Sequence, residues 1–343
     1  MNFMAGNLPL VSVIMPIYKA EKYLSEALDS IFNQSFQNFE IIIVSDDTDE
    51  ETMKILQYYS KNEPRLRIFH QKRKGLIESR NMCFEIARGE YLAIMDSDDI
   101  SMSDRFQKQI DFFRQNPESG IVGSWIVQID TKGNKIRDIR YPITKNGIVF
   151  HMLFHNCLAN SSVMLKKEIS LKIGKYQQEM AYAEDYDYWS RAILLTEISN
   201  IPEPLVLYRI HQQNVSSTHD ELMKKRTSII RNRLFNRIIG KNNNPNEALL
   251  LEKLSSDGKF NQNEEFKLAS EFLQDVYQIF LKKYQPNKQE LEEINHFICN
   301  LLVKIAISNR KMSYLNSISC IISSIKINPV ITIMIIKKII CNL

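Results

Sequence analysis

The chain has 343 residues, 44% of them apolar and 24% charged, so it is an ordinary globular protein with room for one large domain and an extension, or for two domains. A formal net charge of +4 is too small to argue for nucleic acid as a partner. Five cysteines, at positions 83, 157, 299, 320 and 341, show no paired spacing, which excludes a disulfide scaffold and fits reduced thiols in a cytoplasmic setting. Met1 to Pro9 lacks the basic and apolar regions of a signal peptide, and no apolar run approaches the roughly 18–20 residues that span a bilayer.

The first half alternates strand and helix signals. Leu10 to Met15 is a buried strand cut off by Pro16, and Glu21 to Phe32 has helical spacing. Phe39 to Val44 is a second apolar strand, ending in Ser45-Asp46-Asp47, and a polar helix follows from Glu50 to Ser60. Leu66 to Phe69 is a short third strand, Ile77 to Ala87 a helix closed by Gly89, and Tyr91 to Met95 a fourth strand. Continuous apolar strands separated by helices indicate a mixed, mostly parallel sheet between helices, an α/β fold whose ligands bind beyond the carboxyl ends of the strands. Further strands are expected at Ile121–Gln128, Ala159–Leu165 and Pro202–Ile210, with a helix at Glu184–Leu195 carrying Asp187 and Arg191 at i, i+4. Beyond about Ser216 only helical patterns remain. We therefore expect a domain over 1–216 and a helical extension over 217–343, with Asn242 to Pro245 as a linker and Asn328-Pro329 opening the last helix.

The chemistry concentrates where the fourth strand stops. Met95 is followed by Asp96-Ser-Asp98-Asp99, three carboxylates in four positions. Asp96 and Asp98, two apart, point the same way on an extended backbone, an arrangement that suits a hard divalent cation which also holds phosphate oxygens. The plain alternative is a solvated turn. No GxGxxG follows the first strand and no GxxxxGK[ST] occurs, which disfavours a dinucleotide dehydrogenase and a P-loop enzyme.

Seven segments then fall into one pattern: Val11-Ser-Val-Ile-Met-Pro-Ile-Tyr18, Phe39-Glu-Ile-Ile-Ile-Val-Ser-Asp46, Gly75-Leu-Ile-Glu-Ser-Arg-Asn81, Ala87-Arg-Gly-Glu-Tyr91, Met95-Asp-Ser-Asp-Asp-Ile100, Ala183-Glu-Asp-Tyr-Asp-Tyr-Trp189 and Leu207-Tyr-Arg-Ile-His211. In this order and spacing, across roughly Pro9 to Ser216, the chain resembles the family 2 glycosyltransferases of the GT-A fold. The resemblance implies an inverting, metal-dependent enzyme that transfers one sugar from a nucleotide-diphosphate donor, a UDP-hexose or UDP-N-acetylhexosamine, in surface polysaccharide assembly. The acceptor it implies is a saccharide or a lipid-linked saccharide.

By that resemblance Asp46 accepts from the base, Pro16 and Tyr18 pack against base and ribose, and Glu21 reaches the ribose hydroxyls. Gly75 and Arg80 lie on the nucleotide-sugar side, with Arg80 either neutralising phosphate or bracing the carboxylates. Asp98 and Asp96 hold a divalent metal (Mn2+ or Mg2+), with His211 as a further ligand, and Asp96 also meets the donor. Asp185 is the catalytic base and Glu184 faces the acceptor. Asp99 is read as a cap for the helix that follows. Ser45, Asp47 and Lys19 depart from the family pattern, where Asp, Gly and Asn are usual; this keeps a degenerate, scaffold-like glycosyltransferase as an alternative, with a sugar-nucleotide nucleotidyltransferase behind it. His151, His155 and Cys157 are taken as a helix face near the acceptor rather than as zinc ligands. The tail from Ile294 to Leu343 contains no Asp or Glu. It reads either as an amphipathic membrane-surface element or as a helical packing domain or dimer interface; the resemblance implies the first, at the inner face of the plasma membrane. The oligomeric state is left open.

Overall fold

The computed structural model describes residues 8–211, 220–240, 242–256 and 258–341. The chain divides into two compact units, one of residues 1–143 and 158–226, the other of residues 144–157 and 227–343.

In the first unit, β1 (Val11–Ile17), β2 (Phe39–Asp46), β3 (Leu66–Gln71) and β4 (Tyr91–Ile94) form a parallel array in the order β3-β2-β1-β4. The connecting helices are α1 (Leu24–Phe32), α2 (Glu50–Asn62) and α3 (Leu76–Ile86). β1 and β2 are buried along their whole length, as continuous apolar runs covered on both faces must be. β1 continues two residues past the expected stop, through Pro16. Its pairing with β4 ends at Ile14–Ile94, so the amide that proline lacks has no strand to bond on that side.

The sheet then changes direction. β8 (Met164–Lys166) lies antiparallel to β4 and to β6 (Ser119–Ile129), and β6 runs parallel to β9 (Glu197–Arg209). The two-residue β5 (Ile100–Ser101) and the hairpin strand β7 (Lys135–Ile139) are antiparallel to β9 and β6. Parallel and antiparallel pairings are thus balanced among the described residues, and the parallel character lies in the first four strands and in the β6–β9 pair. Helix α4 (Arg105–Gln115) had no counterpart in the sequence reading. Its N-cap is Asp104, not Asp99, which instead leads into β5. Helices α6 (Lys167–Ile173) and α7 (Glu184–Ala192) complete the unit, α7 holding the Asp187–Arg191 pair at 3.0 Å and the fully buried Trp189. One apolar core runs from β1, β2 and β4 through α1 and α4 to β9.

The second unit is helical: α5 (Lys145–Met152), then α8 (Asp220–Ile239, which begins in the first unit), α9 (Pro245–Leu254), α10 (Asn263–Tyr284), α11 (Lys288–Ser308), α12 (Tyr314–Ile327) and α13 (Pro329–Cys341). Asn244 and Asn287 start α9 and α11 with reciprocal capping boxes. α5 belongs here because Phe150 packs on Phe280 and Phe297, and because Glu290 and Glu293 of α11 accept the Asn146 and Thr144 amides at its N-terminus. The unit therefore takes residues 144–157 from the middle of the expected first domain, and its sequence-distal part begins at Thr227 rather than 217. His151 and His155 lie within it, beside Phe297; burial pushes their imidazoles down to about 3 and about 4, so they stand neutral at physiological pH.

Candidate active site

Because β1, β2 and β4 are parallel, their last residues share one edge of the sheet, and that edge carries Pro16 to Tyr18, Asp46-Asp47 and Asp96 to Asp98. Pro16 is buried inside β1, whereas Tyr18 and Glu21 are exposed in the turn that follows, where Lys19 has a left-handed backbone (φ 47°). Asp46 is buried at the end of β2, and both of its oxygens accept backbone amides: Lys74 N–H at 2.9 Å and Gly75 N–H at 2.8 Å. It thereby fixes the turn into α3. Gly75, at φ 88°, adopts a conformation that other residues take only with strain. Its neighbour Arg73 pairs with Asp47 at 2.5 Å.

At the end of β4 the carboxylates have separate surroundings. Asp96 accepts from Ser161 Oγ at 2.9 Å and from Asn160 Nδ2 at 3.2 and 3.3 Å, both from the turn before β8. Its other neighbour is Arg80, whose guanidinium lies 3.4 Å from Asp96 and 3.4 Å from Glu184. Arg80 is almost fully buried, stacks over Tyr176 at 5.2 Å, and is held firmly protonated by these anions. Of the two roles considered for it, bracing the carboxylates is the one its contacts express. Asn81, one residue on, exchanges two hydrogen bonds with the Tyr176 backbone and so ties α3 to the segment that leads into α7.

Asp98 faces His211, with Oδ2 2.9 Å from Nε2. Burial and the nearby Asp96 push its carboxyl above the ordinary range, against the pull of His211. Asp99 is fully buried and accepts the Arg209 amide at 2.8 Å, while the Arg209 side chain donates to the Asp98 carbonyl at 2.9 Å. Burial, Asp98 and Asp96 hold the Asp99 carboxyl well above its usual range. Asp99 thus pins β9 to the end of β4, which is why it caps no helix. Beneath lies Arg105, wholly buried and bonded to the Ile94 and Val163 carbonyls at 2.9 and 3.2 Å.

Asp185 stands in the first turn of α7, half-buried beside Glu184. Burial, and then the Glu184 charge, push its carboxyl up to about 6, only partly offset by the Tyr186 amide and Arg80. A carboxylate poised there is suited to accepting a proton near neutral pH. The sequence reading had missed Asn160, Ser161, Arg105 and Tyr176. Only the small-polar run Asn160-Ser-Ser162 ahead of an apolar strand offered a signal.

Do these residues suit a divalent cation? Among the described residues no three or more His, Cys, Asp or Glu side chains converge as a ready-made cage. Magnesium and manganese, however, are held in nucleotide enzymes by one or two carboxylates, with phosphate and water completing the shell. Asp98, Asp96 and His211 supply oxygen and nitrogen donors of that kind. Burial first, and then the neighbouring carboxylates, raises Asp98 and Asp99, and a cation would relieve the second of these costs. The donor set therefore fits.

Comparison with known proteins bears on the family and the fold. The sequence model described as "Glycosyl transferase family 2" matches residues 12–168. The O-antigen biosynthesis glycosyltransferase WbnJ of Escherichia coli is 33% identical over 237 residues, which cover 64% of this chain and 91% of that protein. Among solved structures, Staphylococcus aureus TarS 1–349 in complex with UDP-GlcNAc superposes with a TM-score of 0.52 at 17% identity, over 94% of this chain and 90% of that one. The mannosyltransferase PcManGT of Pyrobaculum calidifontis, in complex with GDP-Man and Mn2+, gives 0.55 at 14% identity, over 93% and 88%. At such identities the two structures speak for the fold.

Proposed function

The chain belongs to glycosyl transferase family 2, is a glycosyltransferase of GT-A type followed by a helical region, and from that premise we propose a single-sugar, inverting transfer that depends on a divalent metal. The donor in this reading is a UDP-hexose or UDP-N-acetylhexosamine, and the acceptor is a hydroxyl of a free or lipid-linked saccharide in surface polysaccharide assembly. The observation that carries it is the bridge made by Arg80, which draws Asp96, at the end of β4, and Glu184, beside Asp185, to one guanidinium. Donor-side and acceptor-side carboxylates are thereby parts of one cluster. Among the similar proteins TarS is known with UDP-GlcNAc and PcManGT with GDP-Man, both nucleotide-diphosphate sugars, and WbnJ by its name serves O-antigen biosynthesis, which supports the pathway rather than the donor.

In this reaction the acceptor oxygen forms a bond to the anomeric carbon as the bond from that carbon to the diphosphate breaks. Asp185 receives the hydroxyl proton, and the nucleoside diphosphate leaves with the electron pair. Asp98, with Asp96 and His211, would hold the cation, whose chemistry is Lewis-acid stabilisation of the departing diphosphate. Arg80 keeps Asp96 and Glu184 in place and, being permanently charged, lowers the cost of burying them. Glu184 raises the proton affinity of Asp185 and lines the acceptor side.

Two substitutions separate the roles. Asp185→Asn is expected to abolish transfer and leave metal-dependent UDP binding by calorimetry within a few-fold of the parent. Asp98→Ala is expected to remove the metal dependence of that binding. Transfer that survives in the first variant would overturn the base assignment, and metal-dependent binding unchanged in the second would overturn the cation site.

A further inference from the structure

The last two helices bury part of their apolar surface, Ile327 of α12 and Ile331, Ile335 and Ile336 of α13 packing with Cys299 and Val303, and turn the rest outward. On α12 the inward face is Ser317, Cys320 and Ser324, all buried. That face is held by hydrogen bonds: Cys320 Sγ to Ser270 Oγ of α10 at 3.3 Å, Cys299 Sγ of α11 to the Ser324 carbonyl at 3.5 Å, and Ser324 Oγ with Thr332 Oγ1 of α13 at 2.6 Å. The opposite face presents Leu315, Ile318, Ile322 and Ile325, spaced three, four and three residues apart and therefore aligned in one exposed stripe; Leu315 is 79% exposed. α13 repeats the arrangement, with Thr332 and Ile335 buried and Val330, Ile333 and Met334 exposed. Rotating either helix to bury its isoleucines would break the polar contacts of the inner face. The apolar surface is therefore a fixed feature, of a kind that marks an interaction site.

Its surroundings are cationic. Arg310, Lys311, Lys326 and Lys337 are exposed, and no acidic residue occurs from Ile294 to the end of the sequence. We propose that this face docks onto a bilayer surface that carries anionic lipids, with the isoleucine stripe at the acyl boundary and the lysines and arginines among the headgroups. The helices lie on the membrane rather than cross it, since no described helix is long and apolar enough to span one. A second copy of the chain is the less suitable occupant. A twofold interface would set the lysines and arginines of one tail against those of the other, whereas an anionic surface complements them. Nothing in this surface depends on the reaction proposed above.

The test is co-sedimentation of the full chain with vesicles of phosphatidylcholine mixed with phosphatidylglycerol, and with vesicles of phosphatidylcholine alone; it needs no donor and no transfer, so it stands or falls apart from the catalytic reading. We expect binding to the mixed vesicles, weakened by salt, and little to the neutral ones. The double variant Ile322→Asp/Ile333→Asp, at exposed positions, should lose about tenfold or more in partitioning while keeping its circular dichroism, because charge at the acyl boundary is strongly disfavoured. Lys326→Gln/Lys337→Gln should weaken binding to the anionic vesicles and reduce the salt effect. Absence of binding by the parent, or equal binding by the aspartate variant, overturns the proposal. So does a dimer in light scattering that the same aspartates dissolve, which would assign the face to a second copy.

Discussion

Asp185 and Asp98 lie in one unit, and both carboxyls are raised, but the cause that ranks after burial differs: Glu184 for the first, Asp96 for the second. For Asp185 the sign of the pH effect is fixed. Its folded carboxyl titrates at about 6, against 3.8 for the ordinary group, so the ionised form is disfavoured by folding. As the proposed base it would be ionised above about 6, so a transfer rate that depends on it should fall as pH drops through that value. Stability runs the other way: the native state binds the proton more tightly than the unfolded chain, and stability is lost as pH rises from about 4 to about 6, by at most roughly 3 kcal/mol. Asp185→Asn should therefore melt higher than the parent at pH 8 and show little difference near pH 4, which thermal melts at the two pH values would check. An equal melting temperature at pH 8 would mean that Asp185 is not strained by its surroundings. The acidic residues of the cluster were legible in the sequence because each interrupts an apolar run or opens a helix. Of their partners, Arg80 and His211 were read as well, and the rest were not. Ser161 and Arg105 reach Asp96 and the end of β4 from segments whose sequence spacing to them has no period.

At the level of elements, the glycine of Ala87-Arg-Gly-Glu-Tyr91 shows what a short motif can encode. A Cβ on Gly89 would lie 2.6 Å from the Ser12 nitrogen and 2.8 Å from the Val11 carbonyl carbon, both backbone atoms of the central strand. Its amide donates to Ser12 Oγ, which in turn donates to Glu40 of β2. Gly89→Ala must therefore shift backbone rather than a flexible side chain, and a loss of about 1–3 kcal/mol is expected in denaturant titration. A change within a few tenths of that scale would mean that the turn into β4 yields easily. Glycine marked the helix end in the sequence, but its contact with β1 becomes visible only when the strands are side by side. The same holds for the strands themselves. β1, β2 and β4 could be read because both faces are covered and every position except Glu40 and Asp46 is apolar or small. β5 could not, since two residues carry no pattern, and its register is set by β9 and by the Asp99–Arg209 contact. Helix α4 went unread because Arg105 and Gln109 occupy buried positions that periodicity assigns to apolar side chains.

Across the whole molecule, the division of the chain into units does not follow the order of the sequence. α5 departs from the α/β unit after Ile143, and the chain returns to it at Leu158. Phe150 and Phe154 are fully buried in the helical unit among Phe280 and Phe297, and Glu290 and Glu293 close the start of the helix. A chain ending at Arg226 would keep α5 and lose every one of those partners. We expect it to aggregate or to elute as large species in size-exclusion chromatography; a well-behaved monomer of that length would show that α5 tolerates exposure. Pattern alone placed the start of the helical part near Ser216, because an eight-residue helix between two strand signals looks like part of the unit that surrounds it. This interleaving also bears on descent. A tail joined at one point can be exchanged between relatives by a single crossover. A body stitched in at two separate places cannot, because a recombinant that swaps only the distal piece inherits α5 fitted to a different partner, and such hybrids would survive only where both pieces were replaced together.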